Sequence, residues 1–454
     1  MESERRERAV YSSRAIQVAQ EMVARWETAG SPSSDRLITA ELRARKWLGS
    51  HERRQASELA FGYVRSLRKL HYLLDSMNLE KNPQNGVALL AKLAGVDQAL
   101  GVSSETLNAA VSSLPGKDNP RDYIRICLSY SDTLTDTFLS LFPPDEAIEA
   151  AAAFNQRAHT TLRINVKKSS QPRLMKALEN SEPGVWSPWA LHLGERVNVF
   201  ELPGYREAWF DVQEEASQLA VLLTGLYPGQ EVIDVGAGAG GKTLALSAIM
   251  KNTGKIYAID CNERKLQELK KRASNADVRC VEIVEVDAAP TGEWRPTKAV
   301  QHTLSKLQAS ADCVLLDAPC TGSGTLRRRP DGRYREENCH EEAALQQTLL
   351  AQAAPMVKPG GVLVYVTCAI EREQNEDVMD AFLATDFGKC FKVQHADEHL
   401  EETAIRAAKM ADAPVPICDW NALSAGNYIR TWPHRHGMDG FFMARLLRDT
   451  EPLV

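Results

Sequence analysis

The sequence predicts an α/β protein whose largest part, residues 216–454, is a doubly wound, Rossmann-like domain. An all-α domain over 1–145 and a small α/β module over 146–215 precede it. Three observations predict this arrangement. Beyond residue 216, short runs rich in Val and Ile alternate with amphipathic stretches. Before residue 145, apolar residues recur at three- and four-residue spacing. Between them, short alternating runs sit among Pro and Gly punctuation.

In the first region, LITAELRARKWL and RRQASELAFGYVRSLRKLHYLLDSM carry the helical spacing. The first 70 residues hold 14 Lys and Arg against 9 Asp and Glu, inside a chain of net charge −6. Either a solvated helix surface or a phosphate-facing module accounts for that excess. In the middle region TLRINVKK alternates like a strand and PRLMKALENS is helical. WSPWALHLG and VNVFELPGY read as further short strands, and Pro143-Pro144 and Pro203-Gly204 punctuate. In the last region EVIDVG, KIYAID, VEIVEVD, DCVLLDAP and GVLVYVTC are near-continuous apolar strands, as in a parallel sheet covered on both faces. Helical stretches such as KTLALSAIMKN and NERKLQELKKRASN separate them. In such folds ligands sit at the carboxyl ends of the strands.

Composition bounds the function. With 454 residues, 44% hydrophobic and 25% charged, the chain has ordinary globular proportions, and its net charge excludes a histone-like basic protein. No apolar run reaches the length of a membrane span, and MESERRERAV lacks the apolar core of a secretion signal. Nine cysteines without a C-x-x-C pair argue against disulfide scaffolds and zinc sites. The expectation is a cytoplasmic monomer with no membrane contact and no metal. A single cysteine is then free to be a nucleophile.

The strand EVIDV runs into Gly236-Ala237-Gly238-Ala239-Gly240-Gly241-Lys242-Thr243 and a helix. This spelling also satisfies the phosphate-binding G-x-x-x-x-G-K-[ST], so a P-loop NTPase is a rival reading. Three features favour S-adenosylmethionine over ATP. Asp260 ends the second strand, 24 residues after Gly236, where ribose hydroxyls find an acceptor. Asp287 ends the third, placed either to receive an adenine amino group or to fix the loop. Asp317-Ala318-Pro319-Cys320 and Thr367-Cys368 end the fourth and fifth, and a phosphate hydrolase has no use for two thiols.

A soft nucleophile does have a use at carbon 5 of a pyrimidine, which reacts poorly with a methyl sulfonium. Adding a thiolate to carbon 6 makes carbon 5 an enamine that can attack the methyl group. Later the carbon 5 proton must leave and the thiolate be expelled, which gives a second thiol or a carboxylate a task. Cys320 and Cys368 are the candidates. Cys127, Cys261, Cys280, Cys313, Cys339, Cys390 and Cys418 read as small buried hydrophobes.

DVGAGAGGKT, AIDCNERKL, VEVDA, VLLDAPCTGSGTLRRRPD, GGVLVYVTCAI with EREQNEDV, and PHRHGMDGFFMARL occur in the order seen in the Sun/Nop2 (RsmB-type) RNA cytosine-5 methyltransferases. The chain resembles that family over about residues 205 to 448. KWLGSHERRQASELAFGYVRSLRKLHYLLD is similar to the NusB-like helical domain of its bacterial members, which implies an RNA contact surface. The resemblance implies Cys368 as the nucleophile at carbon 6 and Cys320 as the residue assisting release. It puts Asp317 between cofactor and cytosine, Asp260 on the ribose, Asp287 on the adenine side, and Gly236 to Lys242 around the methionine end. It implies RNA as partner, bacterial small-subunit (16S) rRNA in particular. The loop departs from the family's Cys-Ala-Ala-Pro-Gly-Gly-Lys-Thr at Gly236, Gly238 and Ala239. DNA cytosine-5 methyltransferases share a Pro-Cys, here Pro319-Cys320, but no Glu-Asn-Val follows it.

Arg327, Arg328, Arg329, Arg333 and Arg335 follow Cys320 within sixteen residues. They are expected to position the phosphates of the RNA strand, against the alternative of a solvated loop. His434 and His436 lack the partners of a metal site. WPHRHGMDGFFMARL reads as a closing pair of strands that packs Phe441 and Phe442, and acidic residues 394–420 as a surface excursion. Besides the NTPase, a non-catalytic NusB-like RNA-binding or assembly factor with a decayed methyltransferase domain stays open.

Overall fold

The computed structural model describes residues 11–29, 33–96, 99–194, 197–335 and 338–450. Part of the basic N-terminal stretch, residues 1–10, lies outside them. The chain forms two compact units: 1–157 with 325–336, and 158–324 with 337–454.

The first unit is helical, with helices at Ser13–Thr28, Ser34–Ala44, Ser50–Ser76, Pro83–Leu93, Ser104–Ser112, Asp132–Leu141 and Pro144–Asn155. Their starts follow local chemistry. Ser12 Oγ accepts from the Ala15 N–H at 3.1 Å, Asn82 Oδ1 from the Asn85 N–H at 2.8 Å, and Ser131 Oγ from the Leu134 N–H at 3.2 Å. On the 27-residue central helix, Leu59, Tyr63, Leu70 and Leu74 are buried at helical spacing against Ala15, Val18, Met22 and Trp26. Helical structure runs past the expected limit of 145 to Asn155. Pro144 is the reason: at the first position of a helix its missing N–H would be unpaired anyway, so it starts a helix there and divides nothing.

In the second unit, β1 (Thr160–Ile164), β2 (Ser181–Pro183), β3 (Ala190–Leu193) and β4 (Phe210–Val212) form an antiparallel sheet in the order β2-β3-β1-β4. The large sheet holds β5 (Glu231–Val235), β6 (Lys255–Asp260), β7 (Val281–Glu285), β8 (Ala311–Asp317), β9 (Val357–Thr367), β10 (Phe391–Val393), β11 (Ser424–Ala425), β12 (Tyr428–Thr431) and β13 (Phe441–Arg448). Its order is β11-β12-β13-β9-β8-β5-β6-β7, with β10 on β13. Strands β5 to β9 pair in parallel; β13 is antiparallel to β9. The small sheet shares its core with the large one: Leu162, Trp189 and Phe210 lie in the same apolar cluster as Leu219, Leu246 and Leu400. The module expected over 146–215 thus keeps its own strands but not its own core.

The chain leaves β5 toward β6 on one side, and β8 lies on the other. Here the strand order reverses and a crevice opens at the carboxyl ends. The acidic stretch 394–420 contains the helix Ala396–Ala411, which buries Leu400, Ala404, Ala407 and Ala411. It is an amphipathic element of the core rather than an excursion. Phe441 and Phe442 are buried in β13 as expected, though a short helix at Pro433–His436 interrupts the approach. Among the described residues, no helix is long and apolar enough to cross a membrane.

Candidate active site

The glycine loop leaves β5 and turns under the end of β6, where the N–H groups of Gly236 and Ala237 both donate to the Ile259 carbonyl at 2.9 and 3.1 Å. Gly236 has φ +78°, and a Cβ there would lie 2.4 Å from the Asp317 carbonyl oxygen. Only glycine lets the end of β8 come this close. The helix Gly241–Ile249 starts at the loop and aims its first turn at the crevice. Beneath it, Asp234 is fully buried in β5 and accepts from Thr243 Oγ at 2.6 Å. Burial pushes its carboxyl up to about 7, because the charged form has lost its water.

Asp260 stands at the end of β6, one carboxylate oxygen taking the Gly238 N–H at 2.8 Å and the other the Asn262 N–H at 2.7 Å. These bonds fix its orientation beside the loop. Asp317, at the end of β8, accepts from Lys242 Nζ at 2.7 Å. Burial opposes the ammonium charge, but the Asp317 carboxylate outweighs it and the Lys242 pKa is raised. Asp287 lies beyond the end of β7, exposed, its backbone carbonyl accepting from the Arg295 N–H at 2.6 Å.

The two thiols meet. Cys320 and Cys368, 48 residues apart in sequence, have their sulfurs 3.5 Å apart. The neighbouring Cys368 sulfur and burial hold the Cys320 thiol well above its ordinary range. Cys320 is therefore a protonated partner able to donate its S–H toward Cys368. Their loops are pinned by backbone: the Gly324 N–H donates to the Cys368 carbonyl at 2.8 Å, and the Gly440 N–H to the Gly324 carbonyl at 2.8 Å. A Cβ on Gly324 would fall 1.9 Å from the Gly440 oxygen. The glycines of Gly322-Ser323-Gly324 and Asp439-Gly440 thus serve one three-way junction behind the thiols. Of the other cysteines, Cys313 and Cys390 are buried, whereas Cys261 is exposed and departs from the expected interior position.

Sequence reasoning assigned no role to the residues that brace this centre. Gln374 accepts from the Thr321 N–H at 3.0 Å and donates to Glu371 at 3.0 Å. Glu371 also accepts from Ser323 Oγ at 2.7 Å. Asn375 donates to the carbonyls of Ala369 and Glu371 at 2.9 and 2.7 Å and accepts from Thr367 Oγ at 2.5 Å. Gln346 donates to the Pro319 carbonyl at 2.8 Å. The available signal was a dense polar run, EREQNED, directly after a buried strand. A second brace reaches the glycine loop: Arg163 of β1 and Arg272 share Asp211 at 2.6 and 3.0 Å, and Arg272 also donates to the Ala239 carbonyl at 2.6 Å. No short-range pattern announces pairs so far apart in sequence.

The arginine segment behaves differently from expectation. Residues 325–336 belong to the helical unit. Arg333 is 0% exposed there, donating to the carbonyls of Pro330 at 2.9 Å and Arg65 at 3.2 Å and to Asn155, and lying 4.7 Å over the Tyr130 ring. A guanidinium enclosed by carbonyls cannot reach a phosphate, which corrects the expectation for Arg333. Arg327 is also buried, and Arg335 pairs with the buried Asp331 at 2.6 Å. Asp331 in turn accepts from Ser34 Oγ at 2.5 Å. Arg328 and Arg329 remain exposed. His436 is buried, Nδ1 accepting from the Trp432 N–H at 2.9 Å and Nε2 lying 3.0 Å from the Ala422 carbonyl, so it is a neutral core histidine. Burial lowers its pKa to about 4. Among the described residues no cluster of metal-ligating side chains occurs.

These residues fit S-adenosylmethionine: a glycine cradle that a Cβ would fill, a fixed carboxylate on β6 and a helix N-terminus on one crevice. The ammonium of Lys242 is turned to Asp317 instead of a phosphate site, which removes the support for the P-loop reading. The profile of the family described as "16S rRNA methyltransferase RsmB/F" matches residues 221–447. The probable ribosomal RNA small subunit methyltransferase B of Synechocystis sp. is 30% identical over 442 residues, 88% of this chain and 92% of its own length. The ribosomal RNA small subunit methyltransferase B of Pseudomonas syringae pv. tomato is 31% identical over 54% of this chain and 53% of its own. The crystal structure of PH0851 shares the fold over 95% of this chain and 98% of its own, with a TM-score of 0.71 at 23% identity. With a family profile over residues 221–447 and a relative 30% identical over 88% of this chain, the chain belongs to the 16S rRNA methyltransferase RsmB/F family.

Proposed function

We propose that this chain, an S-adenosylmethionine-dependent rRNA methyltransferase by family, methylates carbon 5 of a cytosine in 16S rRNA through a covalent adduct on Cys368. The observation that supports this reading is the pair of thiols 3.5 Å apart at the ends of two adjacent parallel strands, beside the cofactor crevice.

When bound, S-adenosylmethionine supplies an electrophilic methyl group. The rest falls to the chain. The target cytosine leaves its stack so that Cys368 Sγ can bond to carbon 6, which breaks the carbon 5–carbon 6 double bond and loads carbon 5 with electron density. Lys242 is held by Asp317 at 2.7 Å, and its ammonium interacts electrostatically with Cys368. Asp317, which accepts from Lys242, is assigned to orient the cytosine. Once carbon 5 carries its methyl group, its proton must leave. Cys320 receives that role: its own proton passes to water, its thiolate takes the proton from carbon 5, the double bond returns as the Sγ–carbon 6 bond breaks, and Cys368 leaves with that electron pair as a thiolate. Gly236 to Lys242 and Asp260 hold the cofactor, with Asp287 toward its adenine. Arg328 and Arg329 are the exposed members of the segment left to meet the RNA strand.

The test is bisulfite sequencing of unmethylated 16S rRNA after incubation with the protein and S-adenosylmethionine. One or more newly protected cytosines are expected. Methyl incorporation into RNA with no protected cytosine overturns the carbon 5 assignment.

A further inference from the structure

A second cleft lies at the other end of the sheet. Its volume is about 780 Å³, and it sits where the helix Gly241–Ile249 ends and β5 to β7 begin. It runs along that helix from Leu244 to the Lys251–Asn252 turn, and neither Cys320 nor Cys368 lines it. Leu244, Val278 and Met410 contribute apolar wall, and Tyr227, 48% exposed, an aromatic ring.

The lining is cationic. Arg163, Lys167, Lys251, Arg406 and Lys409 face one carboxylate, Asp211. That carboxylate is already shared by Arg163 and Arg272, and the buried Arg163 keeps an Nε with no hydrogen-bond partner among the described residues. Lys167 is tied to Asp277 at 2.5 Å. Arg406 donates to the carbonyls of Leu226 and Gly225 and stacks on Tyr227 at 3.9 Å. Lys251 and Lys409 are exposed at the rim and have no carboxylate partner among the described residues. An excess of positive charge over low-dielectric walls focuses anions into a cleft. The volume suits a ligand of nucleotide size, and apolar walls with an aromatic ring suit a base.

We propose that this cleft binds a phosphate-bearing nucleotide, its phosphate held by Lys251 and Lys409 and its base against the apolar wall. The nucleotide is either one residue of the RNA strand outside the reaction site or a free nucleotide. Only the first source rests on the RNA reading above.

The double variant Lys251→Asn, Lys409→Gln removes both rim charges without entering the thiol site; Asn suits the positive φ of residue 251. Thermal unfolding checks that it folds. RNA affinity is followed against salt, and calorimetry measures adenosine monophosphate binding with the cofactor pocket saturated by S-adenosylhomocysteine. For the RNA source, losing two phosphate contacts lowers RNA affinity about 25-fold at 0.1 M salt and flattens the log–log salt slope by roughly 1.4, with kcat kept. For the free source, the wild type binds adenosine monophosphate, the variant does not, and RNA affinity is unchanged. Equal RNA affinity together with equal, or absent, adenosine monophosphate binding in both proteins overturns the proposal. A wild type that does not methylate RNA sinks the function proposed above, and the adenosine monophosphate comparison still decides the cleft.

Discussion

Two consecutive stretches of chain, Asp317–Gly324 and Thr325–Arg335, are both dense in polar and small residues, and they end in different surroundings. The first closes on the end of β9 through the Gly324–Cys368 and Gly440–Gly324 bonds, leaving two sulfurs in contact beside the cofactor crevice. The second belongs to the helical unit, where Arg333 is enclosed by carbonyls, an amide and the Tyr130 ring. Cys320 and Arg333, thirteen residues apart, thus end in opposite settings: one has its sulfur 3.5 Å from that of Cys368, the other is locked inside the helical unit. Residue type sets what a side chain can do, and packing decides which of those things it does.

The sharpest contrast is expected from single substitutions in the two stretches and their partners. Cys368→Ala should abolish methyl transfer, a loss of about 10⁴ or more, with cofactor affinity unchanged by calorimetry. Substantial residual turnover would remove the nucleophile assignment. In the second stretch, Arg333→Ala should destabilise the helical unit by about 3–5 kcal/mol, because buried acceptors lose a charged donor. Arg328→Ala with Arg329→Ala, at exposed positions, should stay within about 0.5 kcal/mol in denaturant unfolding while weakening RNA binding. If the two sets exchange these outcomes, the division between structural and RNA-facing arginines is wrong.

A pH test separates the support beneath the glycine loop from the loop itself. The folded-state pKa of Asp234, about 7, lies above its unfolded value. Its contribution to stability is then complete below the ordinary aspartate pKa and is lost as pH rises toward 7, by up to roughly 4 kcal/mol. Asp234→Asn should flatten the stability profile between pH 4 and 7. A variant whose profile parallels the wild type would show that Asp234 stays charged in the folded protein.

The parallel sheet was legible because its strands are buried on both faces, so their apolar runs stand out from the sequence. The strand-end residues Asp260, Asp317, Cys320 and Cys368 were legible for a related reason: in such a sheet, the residue after the run faces the ligand. What escaped was everything held by long-range polar contacts. Asp211 draws Arg163 and Arg272 from 48 and 61 residues away, and Gln374 spans 53 residues to Thr321. Hydrophobic periodicity records which face of an element is buried and carries no information about which polar groups meet. Arg333 was misjudged for the same reason, since nothing in Arg-Arg-Arg-Pro-Asp-Gly-Arg says that Asn155 and the Arg65 carbonyl wait for the last arginine. Pro144 shows the local limit: the same residue can divide two elements or begin one, and here it begins a helix.

The central claim is that the two sulfurs divide the reaction, one to form the adduct and one to release it. Incubating the Cys320→Ala protein with S-adenosylmethionine and 16S rRNA, then running a denaturing gel, tests this directly. A protein–RNA band of reduced mobility is predicted, which a second change, Cys368→Ala, should remove. A Cys320→Ala protein that turns over normally and traps no RNA would contradict the account.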